Sequence, residues 1–141
     1  MDMNWLGFAL ISAFAAGVTA ILAKLGVQGV SSNLAMAIRT TVVLVFAWGL
    51  VIARGENADV PALSGRTWVF LILSGIATGV SWIAYFKALS LAPAARVAPI
   101  DKLSLAFTLL MAWLILGESV SWRMALGGLL MVAGALLTLP A

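Results

Sequence analysis

The sequence predicts an all-α membrane protein: a bundle of five transmembrane helices with almost no soluble part. Apolar residues make up 64% of the 141 residues, against about 45–50% in a soluble domain. Charged residues make up only 9%, against about 25%, and the mean hydropathy is +1.15. So little polar surface cannot coat a water-soluble globule. Polar and Gly- or Pro-containing breaks then divide the chain into five stretches near the ~20 apolar residues that cross a bilayer.

The spans are expected at Asn4–Ala23, Leu34–Ala53, Thr67–Phe86, Val97–Leu116 and Trp122–Leu139, so that residues 1–141 form one transmembrane domain. The opening Met1-Asp2-Met3-Asn4 has no basic region and no A-x-A cleavage site, so the first stretch reads as a retained helix. Lys24, Gly26 and Gly29-Val30-Ser31-Ser32-Asn33 end it. Arg54-Gly55-Glu56-Asn57-Ala58-Asp59-Val60-Pro61 begins the longest polar loop. Leu91-Ala92-Pro93 stops the third span, because proline disfavours helical geometry in the residue before it. Gly117 suits the left-handed cap that closes the fourth.

Tryptophan supports the count of five. With the N-terminus on side A and the opposite face called side B, Trp5, Trp68 and Trp122 begin spans 1, 3 and 5. Trp48 and Trp113 lie near the ends of spans 2 and 4, so these five form one interfacial belt towards side A. Trp82 alone lies towards side B.

The charge balance is +3, from eight basic and five acidic residues spread singly along the chain. No basic run suggests nucleic acid. Cysteine and histidine are both absent, which removes disulfides, thiolates and the commonest metal ligands. No paired acids, triad or phosphate loop appears, so no catalytic residue, metal or cofactor is expected. Flanking cations number Arg54, Arg66 and Arg123 on side A against Lys24, Lys87 and Arg96 on side B, with Arg39 and Lys102 deeper on side B. This weak bias leaves open both a fixed topology and a dual one with antiparallel dimers.

Polar side chains inside a span tend to face protein or a water-filled cavity. Ser74, Thr78, Ser81 and Tyr85 form a stripe on span 3, and Asp101, Ser104 and Thr108 form one on span 4. Spans 3 and 4 run antiparallel, so both stripes end near side B. They either glue helices together or line a substrate cavity, with Trp82 beside them. Arg39 and Asp101 lie at similar depth and are expected near each other, as a structural ion pair or as a substrate or coupling-ion site; Lys102 is long enough to snorkel. Ala9, Ala13 and Gly17, and the pair Gly75 and Gly79, form small-residue ridges suited to close helix contact.

The segment Ala88-Leu89-Ser90-Leu91-Ala92-Pro93-Ala94-Ala95-Arg96-Val97-Ala98-Pro99-Ile100 precedes an apolar helix, then Leu116-Gly117-Glu118 and a glycine-rich last helix from Gly127-Gly128 to Gly134. It resembles the EamA-type unit of the drug/metabolite transporter superfamily. Most members of that family carry two five-helix units. The resemblance thus implies a homodimer, antiparallel if both orientations insert, that makes a ten-helix transporter in the bacterial inner membrane. It also implies export of a small-molecule substrate by alternating access, with Arg39, Ser74, Thr78, Ser81, Trp82, Tyr85, Asp101, Lys102, Ser104 and Thr108 as candidate substrate contacts. The small multidrug-resistance branch uses a carboxylate in its first helix; here that helix has no acid after Asp2. A non-transporting accessory subunit is the alternative function.

Dual topology has a direct test. Reporters active on one side of the membrane, fused after Ala141, should both give signal, and two lysines added around Asn57 should push the protein into one orientation. Signal from a single reporter type, unmoved by those lysines, establishes a fixed topology instead.

Overall fold

The computed structural model describes residues 4–139; Met1–Met3, on which part of the N-terminal reading rests, lie outside them. Among the described residues every regular element is a helix. In chain order these are α1 (Asn4–Gly26), α2 (Ser32–Ala53), a short 3-10 helix (Glu56–Ala62), α3 (Gly65–Leu91), α4 (Ala94–Asp101), α5 (Ser104–Leu116) and α6 (Trp122–Leu136).

Serine hydroxyls set three of the starts. Ser31 Oγ accepts from the Leu34 N–H and Ser121 Oγ from the Met124 N–H, each at 3.3 Å. Ser64 Oγ accepts from the Thr67 N–H at 3.1 Å. Each thus satisfies one of the four orphan donors of a helix N-terminus. That cap lets α3 begin two residues before the expected Thr67, and it continues past Phe86 to Leu91, where Pro93 blocks it. The first helix is likewise longer than expected, reaching Gly26. At the other end of α5, Gly117 takes the left-handed conformation at φ 68°, and its N–H and that of Glu118 both turn back to the Ala112 carbonyl.

Four stretches are long and apolar enough to cross a membrane: Trp5–Gly26, Ser32–Ala53, Gly65–Leu91 and Ala94–Leu116. The fifth helix, α6, has 15 residues, about 22 Å at 1.5 Å per residue, against a hydrocarbon layer of about 30 Å. The expected end at Leu139 is therefore corrected to Leu136. There the Ala135 carbonyl accepts from both the Thr138 N–H, at 3.1 Å, and the Thr138 hydroxyl, at 2.7 Å, which tightens the chain out of α-helical geometry.

The fourth span differs from the single helix expected over Val97–Leu116. It is interrupted after Asp101: α4 runs through Pro99, whose missing N–H leaves the Ala95 carbonyl without its helical donor, and the helix ends two residues further on. The backbone is tighter there. The Leu103, Leu105 and Ala106 N–H groups each reach back three residues, to Ile100, Lys102 and Leu103, at 3.0 Å, a short 3-10 stretch between α4 and α5.

The chain divides into two compact units: one of α1 up to Ile21 with residues from Leu91 onward, the other of Leu22–Ser90. In the first, α6 packs against both α5 and α4. Gly128 is buried there, and a Cβ at that position would stand 2.8 Å from Leu109 Cδ1. In the second, the 3-10 helix folds back on α2, after a turn at Gly55 with φ 73°. Its buried side chains, Ala23, Val27, Phe86 and Leu89, gather at the ends of α1 and α3. No residue of α2, α4 or α5 is buried. A Cβ added at Gly17, Gly75 or Gly79 would meet no atom within 4 Å, so these ridges stand open.

The α5–α6 contact predicts a contrast between two glycines of one helix. Gly128→Val should lower thermal stability in detergent by the ~1–3 kcal/mol of an overpacked contact, while Gly134→Val, whose Cβ meets open space, should stay within about 0.5 kcal/mol of the parent. Equal melting temperatures for the two variants would show that α5 and α6 do not pack at Gly128.

Candidate functional site

In the Leu22–Ser90 unit, the chemistry gathers at one end of α2 and α3. Trp82 and Phe86 are four residues apart on α3 and so share one face of the helix. Arg39, seven residues into α2, brings its guanidinium Cζ over the Trp82 ring at 4.1 Å from the centroid and 5.7 Å from that of Phe86. Phe86 is 2% exposed. Tyr85 meets Phe86 edge-on, with centroids 6.4 Å apart. Trp82 is half-buried here, while the five belt tryptophans are exposed. It departs from the interfacial role because its ring serves Arg39.

Lys24 closes the same end. Its Nζ donates to the Leu89 carbonyl at 2.6 Å. Leu89 lies in the last turn of α3, where four carbonyls have no partner within the helix, and a cation there also complements the negative end of the helix dipole. The Ser90 hydroxyl donates to the Lys87 carbonyl, just before those four, at 2.7 Å.

The other unit holds the second set of polar groups. Asp101 ends α4, and its Oδ2 lies 3.2 Å from Lys102 Nζ. The ion pair therefore stands where the fourth span is interrupted. Arg39 and Asp101, expected beside each other, each have a partner in their own unit: the Trp82 ring for one and Lys102 for the other.

The threonines of both stripes are tied to their own helices. Thr78 Oγ1 donates to the Ser74 carbonyl and Thr108 Oγ1 to the Ser104 carbonyl, both at 2.9 Å. Such bonds back to the preceding turn keep a hydroxyl satisfied where lipid offers no partner. Ser74, Thr78, Ser81, Ser104 and Thr108 are exposed, whereas Tyr85 and Asp101 are half-buried. A groove of about 350 Å³ between α5 and α6, lined by Leu109, Trp113, Gly128 and other apolar residues, includes none of the expected site residues. Phe86 is the participant that the sequence reading passed over. Its four-residue spacing from Trp82 was the available signal, but a phenylalanine in an apolar helix looks like any other.

Four helical stretches long and apolar enough to cross a bilayer define a multi-pass helical membrane protein. The family model described as the EamA-like transporter family matches residues 3–139; the chain belongs to that family. It is also 47% identical over 137 residues to the "Uncharacterized transporter in cobO 3'region" of Sinorhizobium sp, a similarity covering 97% of each chain. No solved structure matches.

The contact at the end of α3 gives a stability prediction. Lys24→Met keeps the aliphatic stem but removes the donor to Leu89, and should cost about 1–2 kcal/mol on thermal unfolding in detergent, the penalty of a buried carbonyl left without its bond. An unchanged melting temperature would mean that another donor replaces Lys24 at no loss.

Proposed function

We propose that the chain is a small-metabolite transporter of the bacterial inner membrane, exporter-like, in which two copies assemble a ten-helix homodimer around a midplane site. The observation that carries this reading is the interruption of the fourth span at Asp101 and Lys102. Non-helical backbone is tolerated at membrane depth where it lines a cavity or is covered by protein, and broken spans with nearby charges are a recurrent feature of transporter binding sites. An ion pair that served only to hold helices together would need no such break.

Two further observations support a second copy. The helices α2, α4 and α5 have no buried residue, and the small-residue ridge at Gly75 and Gly79 is open. Lipid covers such faces, but a partner helix does so with closer packing. The balanced flanking lysines and arginines favour antiparallel copies. In this arrangement Ser74, Thr78, Ser81 and Tyr85 would line one wall of the cavity, and Asp101, Ser104 and Thr108 another. Alternating access would then rock one copy against the other.

Counterflow into liposomes containing only the purified protein tests the reading. The wild type should exchange at least one solute from a panel of metabolites. Asp101→Asn should cut the rate by about 10–100-fold, the effect of losing one charged interaction of about 1.5–3 kcal/mol, while leaving the elution profile unchanged. Absence of any flux, with a well-folded dimer, would favour an accessory subunit that needs another chain.

A further inference from the structure

Within the Leu22–Ser90 unit, Arg39 is a cation with no carboxylate beside it. Among the described residues no carboxylate lies within 4.0 Å of it, and no oxygen accepts from its N–H groups; its contacts are the rings of Trp82 and Phe86. A π face stabilises the charge of a guanidinium but leaves its five N–H donors in need of acceptors. Seven residues into α2 from Ser32, Arg39 stands about 10 Å along a membrane-spanning helix. It is half-buried there, which weakens solvation of those donors by bulk water.

Within the Leu22–Ser90 unit the charges at this end are positive. The two acids of that unit, Glu56 and Asp59, belong to the 3-10 helix that packs against the far end of α2. At the end that holds Arg39 stand Lys24, tied to the last turn of α3, and Lys87. Electropositive ground of this kind draws anions and raises their local concentration. A guanidinium held close to aromatic rings still offers a planar fork suited to two oxygens at once.

We propose that Arg39, positioned by Trp82 and Phe86, is an oxyanion-binding subsite, and that the transported metabolite is an acid whose carboxylate or phosphate sits on this guanidinium. The proposal rests on the transporter reading above for the word substrate, but the oxyanion site itself does not. Trp82, at 4.1 Å, and Phe86, at 5.7 Å, hold the guanidinium in place, and Lys24 and Lys87 supply longer-range attraction.

The test uses the purified protein in phosphatidylcholine liposomes and follows tryptophan fluorescence on adding succinate or inorganic phosphate, with choline and glucose as controls. At least one of the two anions should give a saturable change that disappears in Trp82→Phe and is absent with the controls. Arg39→Gln should raise the half-saturating concentration by at least about tenfold, the share of one charge-assisted pair. Arg39→Lys, which keeps the charge and guards against a variant that fails to fold, should fall between the two. No saturable change with either anion, or equal binding by wild type and Arg39→Gln, overturns the site. A change that appears only in phosphatidylglycerol liposomes and ignores both soluble anions assigns the oxyanion to a lipid headgroup and overturns the substrate class. Counterflow of a neutral or cationic solute that Arg39→Gln leaves unaltered overturns the anion and leaves the transporter standing. Oxyanion binding without flux of any solute supports the site and removes the transporter reading.

Discussion

Inside a bilayer no solvent completes a hydrogen bond, and this requirement governs the whole molecule. It makes every span a helix, because only there does the backbone satisfy itself. It also explains where the polar side chains turn. Thr40, Thr41, Thr78 and Thr108 each give their hydroxyl to the carbonyl four residues earlier. The Lys24 ammonium donates to the Leu89 carbonyl in the last turn of α3, and the Ser90 hydroxyl to that of Lys87. At Gly117 the chain bends back so that two N–H groups share one carbonyl. Where the ladder fails, after Asp101, the backbone compensates with three-residue bonds, and among the described residues the one carboxylate inside a candidate span stands at that place. The irregularity and the charge therefore belong to a single feature.

The helical class was legible because twenty apolar residues in a row have few other uses, and the starts and stops were legible where serine, glycine or proline mark them. The interruption of the fourth span was not. Asp101 and Lys102 lie near the start of a span that is apolar enough to cross as one helix, and neither a charge nor the nearby Pro99 by itself marks where a membrane helix stops. The shortness of α6 was also hidden, since Leu137 and Leu139 continue the apolar pattern after the backbone has left it. Hydrophobicity reports the solvent a residue prefers, not the geometry of its carbonyl.

The candidate site was legible by half. Trp82 stood apart from the interfacial belt in the sequence, and the structure supplies the reason in Arg39. The partner chosen for Arg39 is where the reading was incomplete. Charge matching suggests a carboxylate, because Coulomb attraction is the obvious compensation for a cation at depth. Two aromatic faces provide a weaker compensation that leaves the hydrogen-bonding edge of the guanidinium unspent. For Asp101 the nearest cation was simply the next residue, Lys102. A salt bridge between chain neighbours holds no helices together, and it can be opened without unpacking anything.

The brevity of α6 bears on the lipid as well as on the protein. Placed across a bilayer, a helix of 15 residues is shorter than the acyl layer that the 27 residues of α3 exceed, and mismatch of this kind is relieved by tilt, by snorkelling of flanking side chains or by local thinning of the bilayer. Membrane thickness would then act on the two helices in opposite senses, a thinner layer easing α6 while demanding more tilt of α3.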